Sequence, residues 1–139
     1  MRIVMATDDA TAAIVDKVER MLRGRGHEVT RLPVGAWGSV GVEVGRRVAA
    51  GEADQGVVLC FTGTGVAMAA NKVRGIRAAL CVDAATAAGA RRWNDANVLA
   101  LSLRLLTEGL AAEILDGWLD TEYARSEAES LSAMSTYDA

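Results

Sequence analysis

The chain has 139 residues, 51% of them hydrophobic and only 4% aromatic, which suits one domain with a core of aliphatic side chains. Its net charge of −3 at pH 7 argues against a general attraction to nucleic acid or to anionic membrane surfaces. The first strand-like run reaches Asp8 and Asp9 after only a few apolar residues, so we predict neither a signal peptide nor a membrane span there, and we expect a cytoplasmic protein.

The chain holds two cysteines and one histidine. Cys60 and Cys81 both lie within apolar runs, where a reduced thiol is usually a small buried hydrophobe rather than half of a disulfide. With His27 as the only histidine, no metal-ligand spacing can be assembled, so we predict no metal site.

Short apolar runs alternate with amphipathic segments, a pattern that predicts strands and helices alternating in a doubly wound parallel sheet. The predicted strands are Arg2–Ala6, His27–Leu32, Val57–Cys60, Ala78–Val82 and Val98–Leu101. The predicted helices run from about Thr11 to Arg23, from a loop at Val34–Gly41 to Gly51, over Val66–Val73, from a cap at Asp83 to Arg92, and over Glu108–Leu119. One domain, residues 1–139, accounts for all of them.

Two turns and the tail complete this prediction. The turn Thr7-Asp8-Asp9 is expected to cap the first helix, as Asp83 caps the Ala-rich one. Residues 120–139 are polar. Part of this tail is expected to form one more helix, and its Ser-rich end either to fray or to pack on a partner subunit.

Ligands of such sheets bind where the strands end, and two unusual segments follow strands. Asp8-Asp9 follow the first strand and residues 60–65 end and follow the third, so both are expected to face one crevice. The turn Thr62-Gly63-Thr64-Gly65 offers backbone N–H groups to a phosphate, a carboxylate or a developing enediolate. The alternative is a tight strand-to-helix turn without a ligand.

Cys60 ends its strand just before that turn, where a following helix would favour the thiolate and a role as base or nucleophile. The alternative is an inert packed cysteine. For Asp8 and Asp9 the choice lies between an acid/base pair and a helix cap with a solvated neighbour.

Several further segments occur in an order and spacing that a known family shares. They are Gly26–Val29, Gly51–Asp54, Val57–Cys60, Thr62-Gly63, Gly65, Ala69–Val73, Gly75–Cys81, Asn94–Ala100 and Trp118–Glu122. With the opening strand and Asp8, they cover nearly the whole chain and resemble the ribose-5-phosphate isomerase B and galactose-6-phosphate isomerase family.

The resemblance implies a Rossmann-like, three-layer α/β/α fold with a five-stranded sheet. It also implies a homodimer, or a tetramer of two such dimers, with active sites at the subunit interface. The expected ligand is a sugar or sugar phosphate, isomerised between aldose and ketose without a metal or cofactor.

The family's residue roles carry over to matching positions of this chain. Cys60 would remove the C2 proton and Thr62 would help to move protons at the substrate oxygens. The loop that contains Gly63, Thr64 and Gly65 would hold the enediolate. Asp8 and Asn94 would contact sugar hydroxyls or the enediolate, and Arg104 would reach the substrate phosphate.

The departures from the family are concentrated in the same site. Trp93 replaces the histidine credited with opening the sugar ring, and Asp9 replaces another histidine near the phosphate. Glu127 and Leu131 correspond approximately to two arginines that grip the phosphate. Phe61 replaces a glycine of the catalytic loop. A tyrosine on the sugar side of the pocket is absent between Trp37 and Val44.

These changes remove charge-assisted hydrogen bonds of about 1.5–3 kcal/mol each and add an anion, so a dianionic sugar should bind poorly. We therefore expect an isomerase with Cys60 as base and an altered substrate: unphosphorylated, already open-chain, or carrying another polar group. The alternatives are a non-catalytic carbohydrate-binding or regulatory homologue, one subunit of a hetero-oligomer whose partner supplies the missing residues, and a different enzyme on the same scaffold.

Overall fold

A computed structural model describes residues 1–138 and places five parallel strands in one sheet, in the order β2-β1-β3-β5-β4. The strands are β1 (Arg2–Thr7), β2 (Glu28–Arg31), β3 (Gln55–Cys60), β4 (Ala78–Leu80) and β5 (Val98–Ser102). The helices are α1 (Ala13–Gly24), α2 (Trp37–Ala49), α3 (Thr64–Ala70), α4 (Ala84–Asn94), α5 (Glu108–Leu119) and α6 (Ala128–Ser135). The predicted doubly wound α/β fold is confirmed.

The three central strands are buried on both faces, and their successive residues point to opposite sides of the sheet. On β1, Ile3 and Met5 join the core formed with α1, α4 and α5, whereas Val4 and Ala6 join the core formed with α2 and α3. Strands β3 and β5 alternate in the same way. The result is the expected three-layer arrangement, with a helical layer on each face of the sheet.

Several local predictions hold. Helix α5 covers Glu108–Leu119 as expected, with Ile114 and Trp118 buried on one face. Asp83 is the N-cap of α4, and its side chain accepts a hydrogen bond of 2.7 Å from the backbone N–H of Thr86. The tail does form one more helix, α6, which buries none of its side chains.

Other local predictions were wrong. Helix α2 begins at Trp37, inside the predicted loop Val34–Gly41, because its glycines serve helix packing rather than a turn. Helix α3 ends at Ala70 rather than at residue 73. Asp8 and Asp9 do not cap α1, which begins at Ala13 after an N-cap residue that makes no side-chain capping bond.

Two glycines of α2 allow it to lie unusually close to α3. A Cβ at Gly41 would lie 2.7 Å from the Cβ of Ala69, and one at Gly45 would lie 3.0 Å from Cγ2 of Val73. Both positions therefore require the smallest side chain, and their contacts fix where the start of α2 lies relative to α3. Separately, no helix within residues 1–138 combines the length and apolar character that crossing a membrane requires.

Candidate active site

A cleft of about 290 Å³ opens at the carboxyl ends of β1 and β3. These strands are neighbours in the sheet, with Thr7 beside Leu59, so the residues that follow them lie close together. The cleft is lined by Asp8, Trp37, Cys60, Phe61, Thr62, Thr64 and Gly65. The two segments singled out in the sequence, after the first strand and after the third, therefore contribute to one cleft.

Cys60 lies between the hydrophobic core and this cleft. It is the last residue of β3, pairs with Ser102 of β5, and has only 4% of its surface exposed. The other cysteine, Cys81, is buried elsewhere, where burial and, secondarily, the charge of Asp83 raise the pKa of its thiol to about 12. Cys81 fits the packed hydrophobe predicted for an apolar run, whereas Cys60 borders open space.

The loop after Cys60 depends on a glycine at its centre. Gly63 has φ +80°, and a Cβ there would lie 2.5 Å from Cδ1 of Leu80 and 2.9 Å from the carbonyl carbon of Leu101. Both its backbone conformation and the lack of space exclude a larger residue. The loop is thereby pressed against the sheet, and the first residues of α3, whose N–H groups have no partner within the helix, line the same cleft as Cys60.

Hydroxyl and backbone contacts hold the rest of the loop. The Oγ1 atoms of Thr62 and Thr64 are 2.8 Å apart and share a hydrogen bond. The carbonyl of Phe61 accepts hydrogen bonds from the Ser102 hydroxyl at 3.2 Å and from the Arg104 backbone N–H at 3.0 Å. The Phe61 side chain is 67% exposed. Arg104 is thus anchored next to the loop by its backbone, with an exposed side chain outside the cleft lining.

Asp8 is the only charged side chain that lines this cleft within residues 1–138. The neighbouring Asp9 turns to its own loop, where its Oδ1 accepts hydrogen bonds from the Thr11 N–H at 2.8 Å and the Thr11 hydroxyl at 2.7 Å. These bonds lower the pKa of the Asp9 carboxyl and favour its anionic form. In the single chain Asp9 therefore does not line the cleft, contrary to the expectation that it would lie near the substrate.

Trp93 and Asn94 lie in a second cleft, of about 360 Å³, between the end of α4 and α6. The other lining residues are Glu127, Ser130, Leu131 and Met134. The Trp93 ring rests on Gly89, where a Cβ would lie 2.9 Å from a ring carbon. One chain therefore does not bring Trp93 and Asn94 to the Cys60 cleft. Within residues 1–138, Glu127 is the only charged residue that lines the second cleft.

The end of α4 is held by an ionic network. Asp95 adopts a left-handed conformation with φ 46°, and its carboxylate lies 3.3 Å from Nη2 of Arg77 and 3.4 Å from Nη1 of Arg91. Nε of Arg77 also donates to the Asp95 carbonyl at 2.8 Å. Because Asp95 directly follows Asn94, this network fixes the backbone that presents the Asn94 amide.

Trp37 is the lining residue that the sequence reasoning missed. It was assigned to a loop, whereas it occupies the first turn of α2 and lies over Gly65 at the start of α3. The available signal was the recurrence of Trp37, Gly41 and Gly45 at four-residue intervals, which marks one helix face. Among residues 1–138, no three His, Cys, Asp or Glu side chains come together in a way that could hold a metal ion.

A doubly wound sheet with a cysteine and a glycine-rich loop at one strand end defines an α/β protein with a candidate ligand site at that strand end. Residues 3–134 match the family model described as Ribose/Galactose Isomerase. A solved ribose-5-phosphate isomerase B from Clostridium thermocellum superposes with a TM-score of 0.93 at 34% identity, covering 98% of this chain and 96% of that one. The chain belongs to the ribose/galactose isomerase family, whose members are intramolecular oxidoreductases that isomerise sugars.

Sequence relatives vary in length. The galactose-6-phosphate isomerase subunit LacB of Clostridium acetobutylicum is 38% identical over 133 residues, which covers 88% of this chain and 74% of the relative. A DNA damage-repair/toleration protein of Arabidopsis thaliana is 39% identical over 125 residues. That match again covers 88% of this chain but only 40% of the relative.

Proposed function

We propose that this protein is a metal-free aldose–ketose isomerase that uses Cys60 as its base and prefers a sugar without a phosphate group. The observation that carries the proposal is the composition of the two clefts. The first places Cys60 beside the glycine-rich loop, and neither cleft is lined by a Lys, Arg or His within residues 1–138. A candidate base therefore lies in a cleft whose lining offers no cationic group to a phosphate, and this supports the proposal.

The reaction moves one proton between adjacent carbons. The Cys60 thiolate removes the proton from C2 of the open-chain aldose, and the electron pair of that C–H bond forms the C1–C2 double bond of an enediolate. Thr62, hydrogen-bonded to Thr64, relays a proton from the C2 hydroxyl to the C1 oxygen. The Cys60 thiol then returns its proton to C1, which yields the ketose and regenerates the thiolate.

The loop and Asp8 supply the remaining interactions. N–H groups at the start of α3 stabilise the oxygen on which negative charge develops. The Asp8 carboxylate accepts hydrogen bonds from sugar hydroxyls, which orients C2 toward Cys60. His27, the one histidine of the sequence, lines neither cleft, so no imidazole there can open a furanose ring. We therefore propose that the substrate enters in its open-chain form.

The preference against phosphate follows from charge. Each charge-assisted hydrogen bond to a phosphate contributes about 1.5–3 kcal/mol, and the positions expected to supply such bonds hold Asp9, Glu127 and Leu131. Arg104 is the exception, since its exposed side chain lies near the loop. A single cation outside the cleft lining, with the Asp8 carboxylate inside it, is a weak site for a dianion.

We further propose that two chains associate as a homodimer, so that the Trp93 cleft of one chain faces the Cys60 cleft of the other. The exposed residues Phe61, Met68 and Leu105 support this proposal, because large apolar side chains left open to solvent often mark an interface. A hetero-oligomer is the second candidate, favoured by the relative named as a subunit of galactose-6-phosphate isomerase. Sedimentation of the purified chain, alone and at several concentrations, distinguishes a homodimer from a monomer that lacks its partner.

A substrate panel tests the proposal directly. We expect the ratio of kcat/KM for free pentoses and tetroses to kcat/KM for their phosphate esters to favour the free sugars. Introducing Glu127→Arg and Leu131→Arg together should shift this ratio toward the phosphate esters by tenfold or more, about one charge-assisted bond. Glu129→Arg is the control for added positive charge, because it makes the same change as Glu127→Arg but on α6 outside the cleft lining. A wild-type protein that prefers phosphate esters would contradict the proposal.

A further inference from the structure

Trp37 is positioned by the packing of α2 against α3. Gly41 and Gly45 follow it on the same helix face. Each of the three residues contacts one residue of the neighbouring segment, and the partners are also spaced four residues apart: Trp37 contacts Gly65, Gly41 contacts Ala69, and Gly45 contacts Val73. The two glycines bring the helix backbones together further along the pair. The indole ring at the start of α2 is consequently held against the first turn of α3.

Gly65 provides the seat for this ring. A Cβ at Gly65 would lie 2.8 Å from Cε3, 2.9 Å from Cδ2 and 3.3 Å from Cζ3 of Trp37, distances that a real side chain could not keep. The ring thus lies directly over a backbone that carries no side chain. Any residue other than glycine at position 65 would push the indole out into the cleft or away from α2.

Although one part of the ring is covered in this way, Trp37 remains 51% exposed. Its exposed part lines the same cleft as Cys60, and the exposed Phe61 lines that cleft as well. A large apolar side chain that is rigidly seated and half open to solvent beside a candidate base is a common feature of small-molecule sites. Packing of α2 against α3 explains why the Trp37 ring lies on Gly65, but it does not explain why half of this residue is exposed to the cleft.

We infer that Trp37 is a specificity-determining residue that receives the C–H face of the substrate's carbon chain and holds C2 against Cys60. The inference rests on the proposed function and extends it by assigning a residue that selects the uncharged part of the sugar. An aromatic face carries partial negative charge, so it attracts weakly positive C–H groups and disfavours an approaching phosphate. The ring therefore adds to the discrimination that the missing cations produce.

Three variants distinguish the effect of losing the aromatic ring from the effect of displacing it. Trp37→Ala removes the ring, Trp37→Phe keeps a smaller ring in place, and Gly65→Ala keeps the indole but displaces it. Gly38→Ala is the matched control, because it lies in the same first turn of α2 and a Cβ there meets nothing within 4 Å. Far-ultraviolet circular dichroism and thermal unfolding establish that each variant is folded.

We expect Trp37→Ala to raise KM for the best free sugar of the panel about tenfold, with a much smaller change in kcat. Trp37→Phe should recover most of this loss, Gly65→Ala should resemble Trp37→Ala, and Gly38→Ala should leave both constants unchanged. An unchanged KM in Trp37→Ala would overturn the inference while leaving the isomerase proposal intact.

Tryptophan fluorescence tests the contact without relying on turnover. The chain contains Trp37, Trp93 and the buried Trp118, so titration with D-ribose should change an emission that Trp37→Phe loses and Gly38→Ala retains. If this change occurs but no sugar is isomerised, the isomerase proposal fails, and of the inference only the contact between Trp37 and the sugar stands. If D-ribose changes the emission equally in the wild type and in Trp37→Phe, the inference is wrong.

Discussion

Substitution of Gly63 by alanine tests whether the glycine-rich loop is shaped by lack of space as well as by backbone conformation. An alanine at φ +80° costs about 1–2 kcal/mol on conformational grounds alone. The added Cβ would also lie 2.5 Å from Cδ1 of Leu80 and 2.9 Å from both the carbonyl carbon and the oxygen of Leu101. The leucine methyl can move, but the β5 backbone cannot, so overpacking adds about 1–3 kcal/mol.

Gly63→Ala should therefore reduce the free energy of unfolding by roughly 2–5 kcal/mol, part of a typical total of roughly 5–15 kcal/mol. Gly51→Ala is the matched control, since Gly51 has φ +77° but a Cβ there meets nothing within 4 Å. It should lose only the conformational part, about 1–2 kcal/mol. Urea unfolding followed by circular dichroism measures both values. Equal losses in the two variants would refute the packing argument for the loop.

Three further predictions concern groups outside the loop. Trp118→Phe should destabilise the fold by about 2 kcal/mol in urea unfolding, because the buried indole donates a 2.7 Å hydrogen bond to Oε1 of Gln55; a loss below about 0.5 kcal/mol would contradict this. Burial, and then the positive charges of the N-terminus and Arg25, lower the pKa of His27, so the unfolded chain binds the extra proton and stability falls as pH decreases below about 6.5. His27→Gln should flatten the slope of the urea midpoint between about pH 7 and 5.5, and an unchanged slope would count against that reasoning. With the pKa of Cys81 raised to about 12, roughly 10⁻⁴ of this thiol is ionised at pH 8, so iodoacetamide followed by peptide mass mapping should label Cys81 only in denaturant.

The three central strands were predictable because each contains an apolar run of the length that a strand buried on both faces requires. The first strand shows this most clearly, since it is buried along nearly its whole length. Helix α5 was predictable because its apolar residues lie on one face. The start of α2 was not predictable in this way. Gly38, Gly41 and Gly45 lower local helix propensity, and only contact with α3 makes two of them necessary.

The candidate site was partly predictable for a similar reason. Asp8 and the residues from Cys60 to Gly65 follow strands, so a parallel sheet brings them to one edge. The direction of Asp9 depends on a local hydrogen bond to Thr11, which competes with any ligand contact. The separation of Trp93 and Asn94 from the Cys60 cleft depends on tertiary packing around the end of α4, which the order of motifs along the chain does not specify.

Proton exchange at the substrate tests the role of Cys60 most directly. The protein is incubated in deuterated water with a panel of free and phosphorylated aldoses and ketoses, and deuterium incorporation is followed by NMR, alongside Cys60→Ala and the control Cys81→Ala. Deuterium at the carbon next to the carbonyl, formed by the wild type and by folded Cys81→Ala but lost in Cys60→Ala, is the predicted result. Exchange that persists in Cys60→Ala, or no exchange with any sugar, would contradict Cys60 as the isomerase base.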